Sequence, residues 1–104
     1  MDIRKKQIEL IIDRVQDVID LFYQQNNAEA FGKFGNIIGD MTHAVDMLAS
    51  YKAEHSDFDM DETKICDILN EAMKALEDRD TVLMADILQY DFVEYIGDLL
   101  INME

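Results

Sequence analysis

The spacing of apolar residues in the first quarter of the chain is the feature that most constrains its fold. Within residues 3–25 an apolar side chain recurs at every third or fourth position, the repeat of one face of an α-helix. This stripe is Ile8, Ile11, Ile12, Val15, Val18, Ile19 and Phe22. A strand would instead alternate with a period of two. The segment is therefore predicted to be an amphipathic helix.

A second segment repeats the pattern after a residue suited to capping a helix. Asn26, with Glu29 three positions later, has the spacing of a capping box and predicts a helix that reaches about Tyr51. Its expected core stripe is Phe31, Phe34, Ile38, Met41, Val45 and Leu48.

The two remaining helices are predicted in the same way. Asp59, followed by Glu62, has the capping spacing for a third helix, with the core stripe Ile65, Ile68, Leu69, Ala72, Met73 and Leu76. Asp78 or Asp80 is the expected N-cap of a fourth helix, which runs from about residue 81 to the end. The stripe of that helix is Ala85, Leu88, Phe92, Ile96, Leu99 and Met103.

Turn-forming residues are too few for a β-protein. The chain of 104 residues has no proline and four glycines, whereas β-hairpins depend on such residues. Four amphipathic helices with short connections predict an all-α, up-down four-helix bundle. We expect one domain over residues 1–104, because that length buries a single core and no linker interrupts it.

Negative charge is the strongest compositional bias. The formal net charge is −14, and residues 55–104 hold 14 of the 23 acidic residues. Such a field repels nucleic acid and anionic membrane and favours a basic partner, although it also serves solubility. An acidic mimic of nucleic acid is a further alternative. Without a signal-peptide core or an apolar run of about 18 residues, the expected location is the cytoplasm.

Three glycines inside the second helix have two explanations. Gly32, Gly35 and Gly39 share one flank of that helix, where each costs up to about 1 kcal/mol relative to alanine. Either they let another helix approach closely, or the first turns of the helix are irregular or merely tolerate them.

Residues capable of chemistry are scattered. Asp40 and His43 only partly match the Glu-x-x-His motif of a di-metal bundle, and His43 is expected to face water. The single cysteine, Cys66, has no obvious base nearby and is expected to be a half-buried filler. The acidic loop SDFDMDE lacks the glycine and glutamate of a calcium loop and is interpreted as helix capping. We therefore expect no enzyme activity and no cofactor, with a small-ligand- or metal-binding bundle as the alternative.

Two apolar strips lie off the main stripes of the first and last helices. These residues are Ile3, Leu10, Leu21, Leu83, Tyr90 and Ile101. Because the first and last helices of an up-down bundle are neighbours, the strips are predicted to merge into one exposed patch for a protein partner or a second copy. The alternative is that these residues pack at the bundle's own helix boundaries.

The acids of DRDTVLMADILQYDF fall into separate classes. Asp78 and Asp80 suit the start of the helix, where their charge favours exposed amide groups. Asp86 lies on the flank beside the core, one turn before Tyr90, where a carboxylate needs a hydrogen-bond partner. We predict that Asp86 has a structural role in holding a neighbouring helix end or loop.

The last helix also carries a family resemblance. Asp80, Val82, Leu83, Ala85, Asp86, Leu88 and Tyr90 resemble an Asp-x-Val-Leu-x-Ala-Asp-x-Leu-x-Tyr stretch of small uncharacterised bacterial proteins. The resemblance implies a helical domain and supplies no activity. Size, acidity and helicity are also similar to those of small helical chaperones of flagellar and other secretion systems, which hold a basic or amphipathic partner segment. The expected function is accordingly a non-enzymatic protein-interaction module.

Overall fold

The computed structural model describes residues 2–103 and has four helices. These are α1 (Ile3–Tyr23), α2 (Asn27–Glu54), α3 (Glu62–Glu77) and a last helix built from three consecutive pieces. The pieces of the last helix are α4 (Thr81–Asp86), a π-helical segment (Ile87–Val93) and α5 (Glu94–Ile101). The prediction of an all-α four-helix bundle is confirmed.

The π-helical segment was not predicted, but the apolar spacing explains it. Leu88, Phe92 and Ile96 are each four residues apart, and in a regular α-helix such a series drifts by about 40° at every step. A wider turn reverses this drift. All three side chains are consequently buried in the core.

Two helix starts agree with the sequence in position, but only one of them is capped by its side chain. Asp80 accepts a hydrogen bond of 3.0 Å from the backbone N–H of Leu83. Asn26 also occupies the N-cap position, yet its side chain makes no capping bond and instead donates to Glu29 at 2.8 Å. The predicted capping box at Asn26 is therefore incomplete.

The predicted cap of α3 at Asp59 is wrong. The cap is Asp61, whose side chain accepts from the backbone N–H of Lys64 at 3.1 Å. The reason lies in the preceding loop, where Phe58 and Met60 are both buried in the core. These two side chains hold the chain across the end of the bundle, so the helix begins only after them.

Polar contacts fix the first and last helices side by side in opposite directions. Gln16 donates to Gln89 at 2.7 Å, and Tyr23, at the end of α1, donates to Asp86 near the start of the last helix. α1 also packs along α2, and α3 packs against the last helix, whereas α2 and α3 approach each other less closely. The largest fully buried side chains are Phe22, Phe92, Ile8, Ile19, Leu48, Ile65, Met84, Leu88, Ile96, Val15 and Val18.

Candidate functional site

The loose pair of helices encloses an apolar groove at the surface. We call it the α2–α3 groove. It contains a cavity of about 90 Å³ lined by Phe34, Ile38, Met41, Thr42, Leu69, Ala72, Met73 and Leu88. Leu88, from the π-helical segment, is fully buried at its floor. The groove therefore reaches the core of the bundle between two helices that do not close over it.

Side chains expected in the core stand exposed on both walls of this groove. Ile38 on α2 is 38% exposed, and Met73 on α3 is 40% exposed. The prediction that they belong to the buried stripes is wrong, because the neighbouring helices leave both side chains partly uncovered. Apolar surface of this kind, lining a groove, is typical of a binding site rather than of a solvated helix face.

The apolar surface continues past one end of the cavity. Phe31 is 44% exposed, although its ring edge packs on Phe22 with 5.2 Å between ring centroids. Phe31 lines a shallow mouth together with Leu76, Glu77 and Arg79. From Phe31 to Thr42, α2 rises by about 16 Å, roughly three helical turns. Phe31 lies seven residues before Ile38, so this mouth and the α2–α3 groove lie along the same side of α2.

The glycines of α2 border the same side of the helix. Gly35 lies three residues before Ile38, and Gly39 lies three residues before Thr42, so each is a surface neighbour of a groove residue. A Cβ atom built on Gly32, Gly35 or Gly39 would meet nothing within 4 Å. α2 is a continuous helix through all three positions. Irregular structure and close packing by another described helix are thus excluded as explanations, and the alternative that the helix merely tolerates the glycines remains open.

Cys66 lies beside the groove, on the face of α3 that carries Leu69 and Met73, three and seven residues later. The structure exposes it, so its assignment as a half-buried filler is wrong. The exposed thiol offers an attachment point for a spectroscopic probe next to the groove.

The contacts of α1 indicate which way its part of the predicted patch faces. Leu10 lies four residues before Arg14, and the Arg14 guanidinium contacts Asp40 of α2 at 2.9 Å. Gln16, which contacts the last helix, lies about 120° around α1 from Leu10. Ile3, one heptad before Leu10, shares its side of α1. The α1 strip is therefore turned towards α2 and solvent, away from the last helix.

Tyr90, in the strip on the last helix, lies beside α3. Tyr90 lines a shallow groove with Lys64 and Ile68 of α3 and with Asp91 and Tyr95. Ile3, Leu10, Leu83, Tyr90 and Ile101 are all exposed, whereas Leu21 is partly buried against the core. Leu21 fits the alternative that such residues pack at helix boundaries.

Asp86 has the partner that its position requires. It accepts a hydrogen bond of 2.5 Å from the hydroxyl of Tyr23, the last residue of α1. Burial, and then the hydrogen bond to the Asp86 carboxylate, raise the pKa of the Tyr23 phenol well above its ordinary value. The contact joins the end of α1 to the first part of the last helix.

Possible metal ligands are dispersed among the described residues. Residues 2–103 contain no group of three or more His, Cys, Asp or Glu side chains that could hold a metal ion. Asp40, part of the partial di-metal motif, is paired with Arg14, and His43 is exposed. The acidic loop lines a separate open cavity of about 450 Å³ at the end of the bundle, with the lining residues Tyr51, His55, Asp57, Phe58, Asp59 and Asn102.

An ionic cluster that the sequence did not indicate closes this end of the bundle. Arg4 contacts Asp2 at 2.6 Å and Glu54, at the end of α2, at 2.7 Å. The side-chain and backbone hydrogen bonds from Arg4 lower the pKa of Asp2 to about 2. The same guanidinium stands over the Tyr51 ring, 5.4 Å from its centroid. Arg4 therefore links the start of α1 to the end of α2.

Comparison with known families accounts for almost the whole chain. A family model described as a domain of unknown function, DUF8042, matches residues 5–100. The chain belongs to the DUF8042 family. This match confirms the expectation of an uncharacterised family, and the matched region of this DUF8042 domain contains the entire α2–α3 groove. No curated protein and no solved structure matches it. Within the described part of the DUF8042 domain, no helix combines the length and apolarity that crossing a membrane requires.

Proposed function

We propose that this protein is a non-enzymatic interaction module that binds an amphipathic helix of another protein in the α2–α3 groove. The observation that carries the proposal is the exposure of Ile38 and Met73 on opposite walls of an unclosed seam. An incoming apolar helix face would cover both side chains and complete the core. The proposed role is that of a cytoplasmic adaptor or chaperone of a bacterial cell, in keeping with the likeness to small helical chaperones.

The dimensions of the groove favour a helix over a small molecule. Pockets that enclose drug-sized ligands have volumes of roughly 300–1,000 Å³, whereas the cavity in the groove holds about 90 Å³. Helix-binding grooves instead take a few side chains spaced by three and four residues. The strip of about 16 Å from Phe31 to Thr42 matches about three turns of such a helix.

The charge of the chain favours a different protein over a second copy as the occupant. Each copy has a net charge of −14, so two copies brought together at this surface repel each other. A homodimer through the groove is the competing outcome. Sedimentation at micromolar concentration distinguishes the two, because the proposal requires the free protein to be a monomer.

The proposal is tested by selection from a displayed library of helical peptides. The library has an apolar stripe at positions i, i+3, i+4 and i+7 over about 18 residues, with all other positions randomised. A thiol-reactive fluorophore attached to Cys66 reports the binding of each selected peptide at the groove. We expect selected peptides to bind the parent protein and to bind Ile38→Asp and Met73→Asp variants at least about tenfold more weakly, because a charge would then be buried in the interface.

A matched control separates the groove from general surface apolarity. Leu10→Asp places the same charge at an exposed leucine of α1, and this variant should bind the peptides as the parent does. The proposal fails if the library yields no binder, or if the selected peptides bind the Ile38→Asp and Met73→Asp variants as tightly as the Leu10→Asp variant.

A further inference from the structure

Three carboxylates lie beyond the ends of the α2–α3 groove, on the sides of α2 and α3 that line it. On α2, Asp46 lies four residues after the groove residue Thr42, and therefore on the same side of the helix. On α3, Glu62 lies seven residues before Leu69, and Glu77 lies four residues after Met73. Glu77 also lines the mouth beside Phe31. Each end of the apolar groove is thus followed along α2 or α3 by an acidic residue.

The carboxylates at the rim are not neutralised within the described chain. Asp46, Glu62 and Glu77 are all exposed, and none of them takes part in the ion pairs formed by residues 2–103. The nearby Lys52 directs its amino group to the backbone oxygen of Met60 at 2.6 Å. Arg79 stands at the mouth that contains Glu77. The rim is therefore acidic along most of its length, and the overall charge of −14 reinforces it.

We infer that the natural occupant of the groove is a cationic amphipathic helix, with an apolar stripe flanked by lysine or arginine residues. This inference rests on the proposed function, since it assigns a chemistry to the helix bound there. Flanking cations would lie opposite Asp46, Glu62 and Glu77 once the apolar stripe covers Ile38 and Met73. Exposed charge pairs of this kind add modest affinity and raise the association rate at low salt, so binding should weaken as ionic strength increases.

The peptide library tests the charge separately from the groove. A chain this acidic attracts cations everywhere, so the selection compares two triple variants with the same net charge. The groove variant carries Asp46→Asn, Glu62→Gln and Glu77→Gln. The control variant carries Glu9→Gln, Asp13→Asn and Asp67→Asn, at exposed acids outside the groove. In both variants the number of negative charges falls by the same amount.

The expected result has two parts. Selection on the parent and on the control variant should enrich lysine and arginine at the randomised flanking positions, and selection on the groove variant should not. A selected cationic peptide should bind the groove variant about tenfold more weakly than the control variant at low salt, with the difference shrinking at high salt.

The failures of the two proposals are distinguishable. If selected peptides need Ile38 and Met73 but show no cationic enrichment, or bind both triple variants equally, the helix-binding function stands and the cationic partner is wrong. If the peptides bind regardless of Ile38 and Met73, the helix-binding function itself is wrong, and the cationic inference falls with it.

Discussion

Tyr23 and Asp86 join the end of α1 to the beginning of the last helix through a hydrogen bond of 2.5 Å. Asp86 is one of the residues of the Asp-x-Val-Leu-x-Ala-Asp-x-Leu-x-Tyr stretch, and its contact is structural. Residues of this stretch therefore start the last helix and hold it against α1. The α2–α3 groove lies between the other two helices.

Tyr23→Phe removes this hydrogen bond and should lower the free energy of unfolding by about 1 kcal/mol at neutral pH. The phenol pKa is raised in the folded protein above the unfolded value of about 10, so the unfolded chain loses this proton first. The stabilisation is then present below about pH 10 and is lost as the pH rises further. Urea unfolding between neutral pH and pH 11 checks this, with Tyr90→Phe as the control. A Tyr23→Phe variant as stable as the parent at neutral pH would contradict the prediction.

Asp2→Asn should reveal the stabilisation that Arg4 gives to the end of the bundle. The pKa of Asp2 is lowered from 3.8 to about 2 by its hydrogen bonds from Arg4. Its contribution is therefore present above the unfolded pKa and disappears as the pH falls from about 4 to about 2. Thermal unfolding should show a lower Tm for Asp2→Asn at pH 6, with the difference vanishing near pH 2. Asp13→Asn, at an exposed acid of α1, controls for the change in net charge. A Tm difference between Asp2→Asn and the parent that is equal at both pH values would contradict the stabilisation by Arg4.

The two candidate caps of α3 should differ in energy. Asp61→Ala removes the side-chain bond to the N–H of Lys64 and should cost about 1 kcal/mol, the usual loss for an N-cap. Asp59→Ala removes an exposed side chain outside the helix and should change the stability by less than about 0.5 kcal/mol. Chemical denaturation of both variants makes the comparison. Equal losses of stability in the two variants would contradict the assignment of Asp61 as the N-cap.

Gly35→Ala and Gly39→Ala should stabilise the free protein and weaken binding. Each new methyl group meets nothing within 4 Å in the free chain, and alanine favours a helix over glycine by about 1 kcal/mol. In the complex the same methyl groups would stand between α2 and the incoming helix. Unfolding experiments measure the stability of the free protein, and titration of the Cys66-labelled protein with a selected peptide measures the affinity.

The equivalent change on a surface away from the groove provides the control for the glycine substitutions. Gly97→Ala in α5 also adds a methyl group that meets nothing within 4 Å. It should stabilise the protein without changing peptide affinity. If the Gly35 and Gly39 variants bind peptides as tightly as Gly97→Ala does, the glycines have no part in the interface.

Local patterns were sufficient to predict the helices, since apolar spacing and capping residues act within a few positions along the chain. The N-cap at Asp80 and the need of Asp86 for a partner both followed from such local rules. The prediction that Asp59 caps α3 was wrong because the start of α3 depends on a tertiary contact, the burial of Phe58 and Met60. Capping spacing alone could not distinguish Asp59 from Asp61.

The groove could not be predicted because it depends on the distance between two helices. Ile38 and Met73 satisfy the apolar repeat as well as their buried neighbours do, and their exposure depends on how α2 and α3 pack together, which the repeat does not specify. The three glycines beside Ile38 were the available signal, but they carried no information about whether the approaching helix belonged to this chain. The orientation of the outer strips on the first and last helices is equally beyond the apolar repeat, since neighbouring helices need not present such strips to each other.

Methyl NMR during titration with a selected cationic peptide tests most directly whether the α2–α3 groove is the binding surface. Methyl groups of Ile38, Met41, Leu69, Met73 and Leu88 line the groove, whereas those of Ile3, Leu10 and Ile101 are exposed elsewhere. We predict that the largest shift changes fall on the groove methyl groups and are absent from the other set. Shift changes centred on Ile3, Leu10 and Ile101, with the groove methyl groups unchanged, would contradict the proposed binding surface.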